Sequence, residues 1–137
     1  MRKKSRWFLV SVMSDISFNC TLNEKMLQDS FRSTLEECFG MLASVYSLKV
    51  VYYSALLGYA IIRCTREIYK LVWTCITLTN CIISFPVSCN VIHCGSTLRC
   101  CQNELIRLFE IEKLVSNNIK VIENEKEELL GILDEIL

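Results

Sequence analysis

Val45-Tyr46-Ser47-Leu48-Lys49-Val50-Val51-Tyr52-Tyr53, followed after Ser54-Ala55-Leu56 by Leu57-Gly58-Tyr59-Ala60-Ile61-Ile62-Arg63-Cys64-Thr65, is the stretch on which the fold turns. In the first run Tyr46, Leu48, Val50 and Tyr52 alternate with Ser47, Lys49, Val51 and Tyr53, the two-residue period of a half-buried strand. The second run repeats the pattern. So short a connection between two strands predicts an antiparallel hairpin, with Gly58 near the start of its second arm.

Upstream, Trp7 to Met13 is rich in β-branched and aromatic residues and ends at Ser14-Asp15, which predicts another strand. Thr21 or Asn23 can cap a helix running to Phe39. Leu22, Met26, Phe31, Leu35, Cys38 and Phe39 would share its apolar face, and Gly40 follows its end. Downstream, Ile68, Leu71, Val72, Cys75 and Leu78 predict a helix from Glu67 to about Asn80, after which Pro86 is expected to break the chain. Val87 to Gly95 predicts a further strand, and Thr97 opens a helix that carries Leu105, Leu108 and Phe109. The order β-α-β-β-α-β-α predicts an α+β fold in which helices pack on one face of an antiparallel sheet. Its order is ferredoxin-like, or that of an RNA-recognition motif. Residues 1–115 are read as one domain, and residues 116–137 as an acidic, amphipathic helical tail. The tail's Ile119, Ile122, Leu129, Leu133 and Ile136 would form one stripe, either a partner-binding helix or a frayed end.

Charge is distributed unevenly behind a formal net of zero. Met1 to Phe109 holds twelve Lys/Arg against seven Asp/Glu, whereas Glu110 to Leu137 holds three against eight. A domain with net positive charge suits an anionic partner, and phosphates are bound mainly through Lys and Arg. Nine cysteines, an odd number, follow an opening Met1-Arg2-Lys3-Lys4 whose next apolar run is short and interrupted by Ser11, Ser14 and Asp15. That opening does not resemble a secretory signal, so the cysteines are read as reduced thiols that pack as small hydrophobes.

Several clusters carry chemistry. Arg2, Lys3, Lys4 and Arg6 place four cations in five positions, either an RNA-backbone patch or a solvated basic end such as a localisation signal. Gly95-Ser96-Thr97, with Arg99 in the following turn, offers backbone N–H groups and hydroxyls to a phosphate at a helix N-terminus, or else an ordinary N-cap. Arg63, in an apolar strand, must leave the sheet face or find a partner. Arg66 and Lys70, four residues apart, share a helix face and repel unless an anion approaches. His93 has no Ser or Asp at a catalytic spacing. No C-x2-C pair exists and the Cys spacings after residue 64 do not repeat, although Cys94, Cys100, Cys101 and His93 could in principle converge on a metal. Two rival readings remain open. Residues 71–98 lack any Asp, Glu, Lys or Arg and are long enough for a single membrane pass, although Pro86, Asn80, Asn90, His93 and many hydroxyls lower their hydrophobicity. A soluble protein-interaction module acting through the acidic tail is the other.

Three stretches resemble the Rpp-fourteen/Pop-five family of ribonuclease P and RNase MRP subunits. Met1-Arg2-Lys3-Lys4-Ser5-Arg6-Trp7-Phe8-Leu9 is similar to the family's opening, with Lys3 in place of an apolar residue and Trp7 in place of Tyr. Val50 to Trp73 is the most specific block. In it Tyr52, Gly58 and the run Ile61-Ile62-Arg63-Cys64-Thr65-Arg66-Glu67-Ile68-Tyr69-Lys70-Leu71-Val72-Trp73 follow the family pattern, with Thr65 where a basic residue is common. His93-Cys94-Gly95-Ser96-Thr97-Leu98-Arg99-Cys100-Cys101-Gln102 resembles its Gly-Thr-Ile-Arg segment, with Ser96 for a Gly. The resemblance spans residues 1 to about 110. It implies a non-catalytic subunit of an RNA-based endoribonuclease that supports 5′-leader removal from precursor tRNA and rRNA processing. It also implies contact with the ribonuclease P or MRP RNA, an Rpp-thirty-type barrel protein and a second small subunit of similar fold, with precursor tRNA met indirectly and no membrane. A nuclear and nucleolar location is implied, and Mg2+ is expected on the RNA, with no cofactor on the protein. Arg2, Lys3, Lys4, Arg6, Arg63, Arg66, Lys70, Ser96, Thr97 and Arg99 are the expected RNA-facing residues.

Overall fold

The computed structural model describes residues 4–14, 22–40, 46–54, 57–82, 85–115 and 127–131. The chain runs β1 (Ser5–Ser14), α1 (Glu24–Phe39), β2 (Leu48–Ser54), β3 (Tyr59–Thr65), a 3-10 turn (Arg66–Ile68), α2 (Tyr69–Leu78), β4 (Cys81–Ile82), β5 (Phe85–Gly95) and α3 (Leu98–Val115). A short helical segment follows at 127–131. The sheet has the strand order β2-β3-β1-β5-β4, and every pairing in it is antiparallel. The predicted hairpin is β2-β3, and β1 lies at the centre between β3 and β5. Short β4 adds one strand to the expected order. Pro86 does not break the chain but sits inside β5 opposite Cys81. A proline is tolerated there because it stands at the start of the strand, where a missing N–H costs no interior ladder bond.

Two cores use the two faces of this sheet. Successive residues of a strand point to opposite faces. Phe8, Val10 and Val12 of β1 therefore join Val50, Ile62 and Cys64 on one side, where Leu27, Phe31 and Leu35 of α1 and Val72, Cys75 and Ile76 of α2 cover them. Trp7, Leu9 and Ile61 point the other way and meet Leu98, Cys101, Leu105 and Phe109 of α3. Helices α1 and α2 thus pack together on one face, and α3 takes the opposite face. Cover on both sides explains why Phe8, Leu9 and Val10 are all fully buried in succession. Leu129, from the acidic end of the chain, is also buried in the second core. Ile119, Ile122, Leu133 and Ile136 lie outside the described residues.

The simple alternation expected for β2 fails at one point. Val50 pairs with Ile62, but Tyr52 pairs with Ile61, so Val51 is the extra residue of a β-bulge. The bulge sends Tyr52 into the second core, away from Leu48 and Val50, and brings Tyr53 against the first. A second bulge lies between β1 and β5, where Leu9 faces His93 and Val10 faces Val91, leaving Ile92 extra and partly exposed.

Asn23 caps α1 by accepting the Met26 N–H at 2.9 Å, which satisfies one of the helix's orphan donors. The buried stripe of α1 passes through Leu27, with Met26 only partly covered, and Cys38 and Phe39 are exposed at its end. In α2 the stripe runs through Ile76, and Leu78 points outward. Helix α1 also closes the outer edge of β2. Arg32 donates to the Leu48 carbonyl at 2.9 Å and Gln28 accepts the Val50 N–H at 3.3 Å, groups that an edge strand otherwise leaves open.

Gly58 shows how tightly the hairpin turn meets β1. Its φ is +74°, its carbonyl accepts the Val12 N–H at 2.7 Å, and a Cβ placed on it would stand 2.8 Å from the Val12 carbonyl oxygen. Gly58→Ala therefore meets both a left-handed backbone penalty of about 1–2 kcal/mol and a backbone clash. Its melting temperature should fall by on the order of 5–10 °C in a thermal scan, and an unchanged value would contradict this turn geometry.

Candidate nucleic-acid interface

At one end of the sheet the start of β1, the end of β3 and the 3-10 turn after it meet the junction of β5 and α3. The antiparallel register dictates this convergence, because Ser5 pairs with Thr65, Arg6 with Cys64 and Trp7 with both Arg63 and Gly95. The Arg66 N–H donates to the Lys4 carbonyl at 2.9 Å and fixes the turn against β1. Two clefts open here. One, of about 400 Å3, is lined by Lys4, Ser5, Arg6, Arg66 and Ser96. The other, of about 240 Å3, is lined by Lys4, Ser5, Ser47, Lys49, Arg63, Cys64 and Thr65. Lys4 and Ser5 border both, and among the described residues no carboxylate lines either.

Local contacts preset several of these cations. The Arg63 guanidinium lies 5.3 Å from the centre of the Trp7 ring, and its Nε donates to Ser5 Oγ at 3.1 Å. That arrangement answers how an arginine fits an apolar strand: its head leaves the sheet across an aromatic face. The Arg6 guanidinium lies 5.8 Å from the centre of the Tyr69 ring. Arg66, Lys70 and Arg99 are exposed. Among the described residues none of these cations forms an ion pair within 4 Å, whereas Arg107 and Glu104 pair at 3.0 Å on α3. Lys49 stands directly opposite Arg63 across the hairpin. Like charges so placed repel, and an anion bound between them removes the penalty.

The structure thus brings Lys4, Arg6, Arg63, Arg66 and Ser96 together, and Arg2 and Lys3 lie outside the described residues. Thr97 is engaged as a cap: its hydroxyl accepts the Cys100 N–H at 3.4 Å and donates to Cys100 Sγ at 3.0 Å. Arg99 and Lys70 extend along α3 and α2 and do not line either cleft. Lys49 is absent from the sequence-level set; the signal for it is the hairpin register, which puts it beside Arg63.

His93 shares the face of Leu9 and lies near Gly95, and its buried Nε2 has no hydrogen-bond partner among the described residues. A Cβ on Gly95 would stand 3.0 Å from Cys100 Cβ and 3.2 Å from His93 Nε2, so glycine is what lets β5 turn this closely into α3. Among the described residues no three His, Cys, Asp or Glu side chains group as metal ligands. Burial pushes the Cys64, Cys75, Cys89 and Cys101 thiols up to about 12. Cys38, Cys81 and Cys100 are exposed. A thiol reacts as its thiolate, so alkylation of the folded protein at neutral pH should label Cys38, Cys81 and Cys100 first, and the four buried thiols only after denaturation. Labelling of Cys89 or Cys101 at the rate of Cys38, read by mass spectrometry, would contradict the packing.

The segment read as a possible membrane span is α2, β4 and β5 in succession, and no described helix is long and apolar enough to cross a membrane. Its Val72, Cys75, Ile76, Ile82, Val87 and Cys89 are buried in the first core, and many of its exposed positions carry hydroxyls, amides and aromatic rings.

Residues 6–106 match the model of the Rpp14/Pop5 family. The chain belongs to that family. Among curated members, a ribonuclease P/MRP protein subunit POP5 from Bos taurus is 31% identical over 135 residues, covering 93% of this chain and 79% of its own. The Homo sapiens POP5 subunit is 30% identical, over 93% of this chain and 83% of its own. A probable POP5 subunit from Dictyostelium discoideum is 28% identical, over 95% and 78%. The fold is shared with a chain in a cryo-EM structure of yeast ribonuclease MRP, with a TM-score of 0.57, 14% identity and coverage of 83% of this chain and 95% of that one. The Rpp14/Pop5 match begins at Arg6, the first cation of β1, and so takes in Arg63, Arg66, Lys70, Ser96, Thr97 and Arg99.

Proposed function

We propose that this chain is a non-catalytic protein subunit of ribonuclease P and of RNase MRP, supporting an RNA that removes 5′ leaders from precursor tRNA and takes part in rRNA processing. The observation that carries the proposal is the cluster of cations, Lys4, Arg6, Lys49, Arg63 and Arg66, around two clefts at one end of the sheet in a member of the Rpp14/Pop5 family. Such a cluster holds phosphates by counterion release, and no carboxylate among the described residues lines either cleft. Arg2 and Lys3 precede it in the sequence and add to its positive charge, and Lys70, Thr97 and Arg99 flank it. In this reading cleavage belongs to the RNA, and the protein's part is to hold that RNA through its phosphates. Mg2+ sits on the RNA, and the protein carries no cofactor. Its partners are the catalytic RNA, an Rpp-thirty-type subunit and a second small subunit of similar fold. Precursor tRNA is met through the assembly, in the nucleus and nucleolus.

Depletion of the chain in its own cells tests this reading. Precursor tRNAs retaining their 5′ leaders should accumulate, along with unprocessed rRNA precursors, and a wild-type copy should reverse both. Normal tRNA 5′ ends after depletion would overturn the ribonuclease P assignment.

A further inference from the structure

The cluster of cations continues into an aromatic row. Arg66, Tyr69, Lys70, Trp73 and Thr77 recur at three- and four-residue spacing, so they line one outward side of the 3-10 turn and α2. Trp73 is 42% exposed, while the other tryptophan, Trp7, is 8% exposed. The Trp73 ring is not loose: it meets buried Phe8 edge-on, with centroids 5.8 Å apart and planes at 85°. One turn earlier, Tyr69 lies under the Arg6 guanidinium, and Arg6 itself lines the larger basic cleft. Arg6 and Phe8 on β1 therefore run beside Tyr69 and Trp73 on α2 as two matched rows. Residues one helical turn apart rise about 5.4 Å, a step close to that between neighbouring nucleotides. The Thr74 and Thr77 hydroxyls donate back to the Lys70 and Trp73 carbonyls at 3.0 Å, which leaves the exposed Trp73 ring as the binding feature.

We propose that Trp73, with Tyr69 beside it, is a stacking platform for an unpaired base of the RNA strand whose phosphates lie in the cleft of Lys4, Arg6, Arg66 and Ser96. The proposal rests on the RNA reading above and says what kind of RNA the site takes. An exposed aromatic face next to Arg6, Arg66 and Lys70, against the single carboxylate of Glu67 on the same stretch, suits a ligand that is flat, apolar and anionic at once. A nucleotide is such a ligand. A hydrophobic protein surface would instead have to strip water from three cations. A duplex keeps its base faces stacked inward, so the strand is single-stranded or bulged at this point.

The test measures binding of the full chain to oligoadenylate and to an RNA duplex of equal length, for the wild type, Trp73→Ala, Trp73→Phe and Lys4→Glu/Arg66→Glu. Loss of one stacked base is worth on the order of tenfold in affinity. Trp73→Ala should weaken oligoadenylate binding by about that factor and leave duplex binding unchanged, and Trp73→Phe should restore most of it. Saturating oligoadenylate should also quench the tryptophan emission of the wild type, a readout independent of any variant's folding. If Trp73→Ala binds like the wild type while Lys4→Glu/Arg66→Glu does not, the stacking platform falls and the RNA reading stands. If neither variant changes binding, both fall. Absent quenching, or normal RNA binding by Trp73→Ala together with loss of a protein subunit in purification, overturns the platform in favour of a protein at that surface.

Discussion

Lys4→Glu/Arg63→Glu/Arg66→Glu is expected to lower affinity for structured RNA by about 100-fold or more at physiological salt and to reduce the slope of log affinity against log salt by about 2 to 3, because each cation neutralises one phosphate and releases its counterion. All three heads reach solvent around the two clefts, and none pairs with a carboxylate among the described residues, so folding should survive. Filter binding across a salt series, beside a thermal scan, reads both quantities. Arg6 is left in place because it lies over Tyr69 of the proposed stacking platform, so its removal would not separate the two sites. An affinity within twofold of wild type, with the salt slope unchanged, would remove this end of the sheet from the RNA interface.

Phe31→Ala carries the largest expected effect on stability. The side chain is fully buried between α1 and the first face of the sheet, and truncation of such a phenylalanine costs about 3–5 kcal/mol. A domain of this kind has about 5–15 kcal/mol in all, so the variant should be mostly lost to unfolding at growth temperature or melt far below the wild type. The second core gives a comparison. Phe109→Ala removes a buried ring from α3 on the other face, and if the two cores unfold as one unit, both variants should still melt in single transitions. An early, separate loss of α3 helicity in Phe109→Ala would show that the second core is a distinct cooperative unit.

Much of this architecture is legible in the sequence, and the exceptions have physical causes. The β2-β3 hairpin is readable because two alternating runs flank a connection too short for anything else. Asn23 is readable as a cap because it stands just before an apolar helical period. Helices α1 and α2 take one face, as the strand-helix order implies, whereas α3, expected on that same face, covers the other. The clue to α3 lies in composition: Trp7-Phe8-Leu9-Val10 and Ile61-Ile62 are apolar without alternation, which a strand shows only where both its faces are covered. Tyr52 misleads because a bulge at Val51 reverses the parity of everything after it, and a bulge leaves no simple mark in a two-residue period. Pro86 reads as a breaker, yet it costs little at the start of β5, beside the short β4.

The site divides the same way. Arg6, Arg63 and Arg66 stand out in the sequence because a cation in or beside an apolar strand demands an explanation. Lys49 does not, since it reads as an ordinary solvent-facing residue until the register places it opposite Arg63. Trp73 belongs to the apolar run Leu71-Val72-Trp73, and only its exposure in the folded chain separates it from the core residues Val72 and Ile76 on either side of it.

The central claim, that this chain serves a tRNA-processing and rRNA-processing ribonucleoprotein, is tested most directly by purifying the tagged chain from its own cells at moderate salt, sequencing the RNA that comes with it and assaying the eluate on precursor tRNA. One or two abundant structured RNAs and cleavage that frees a mature 5′ end are expected, both abolished by Lys4→Glu/Arg63→Glu/Arg66→Glu. Recovery of the folded chain with protein partners alone, without a discrete RNA and without 5′-leader cleavage, would contradict it.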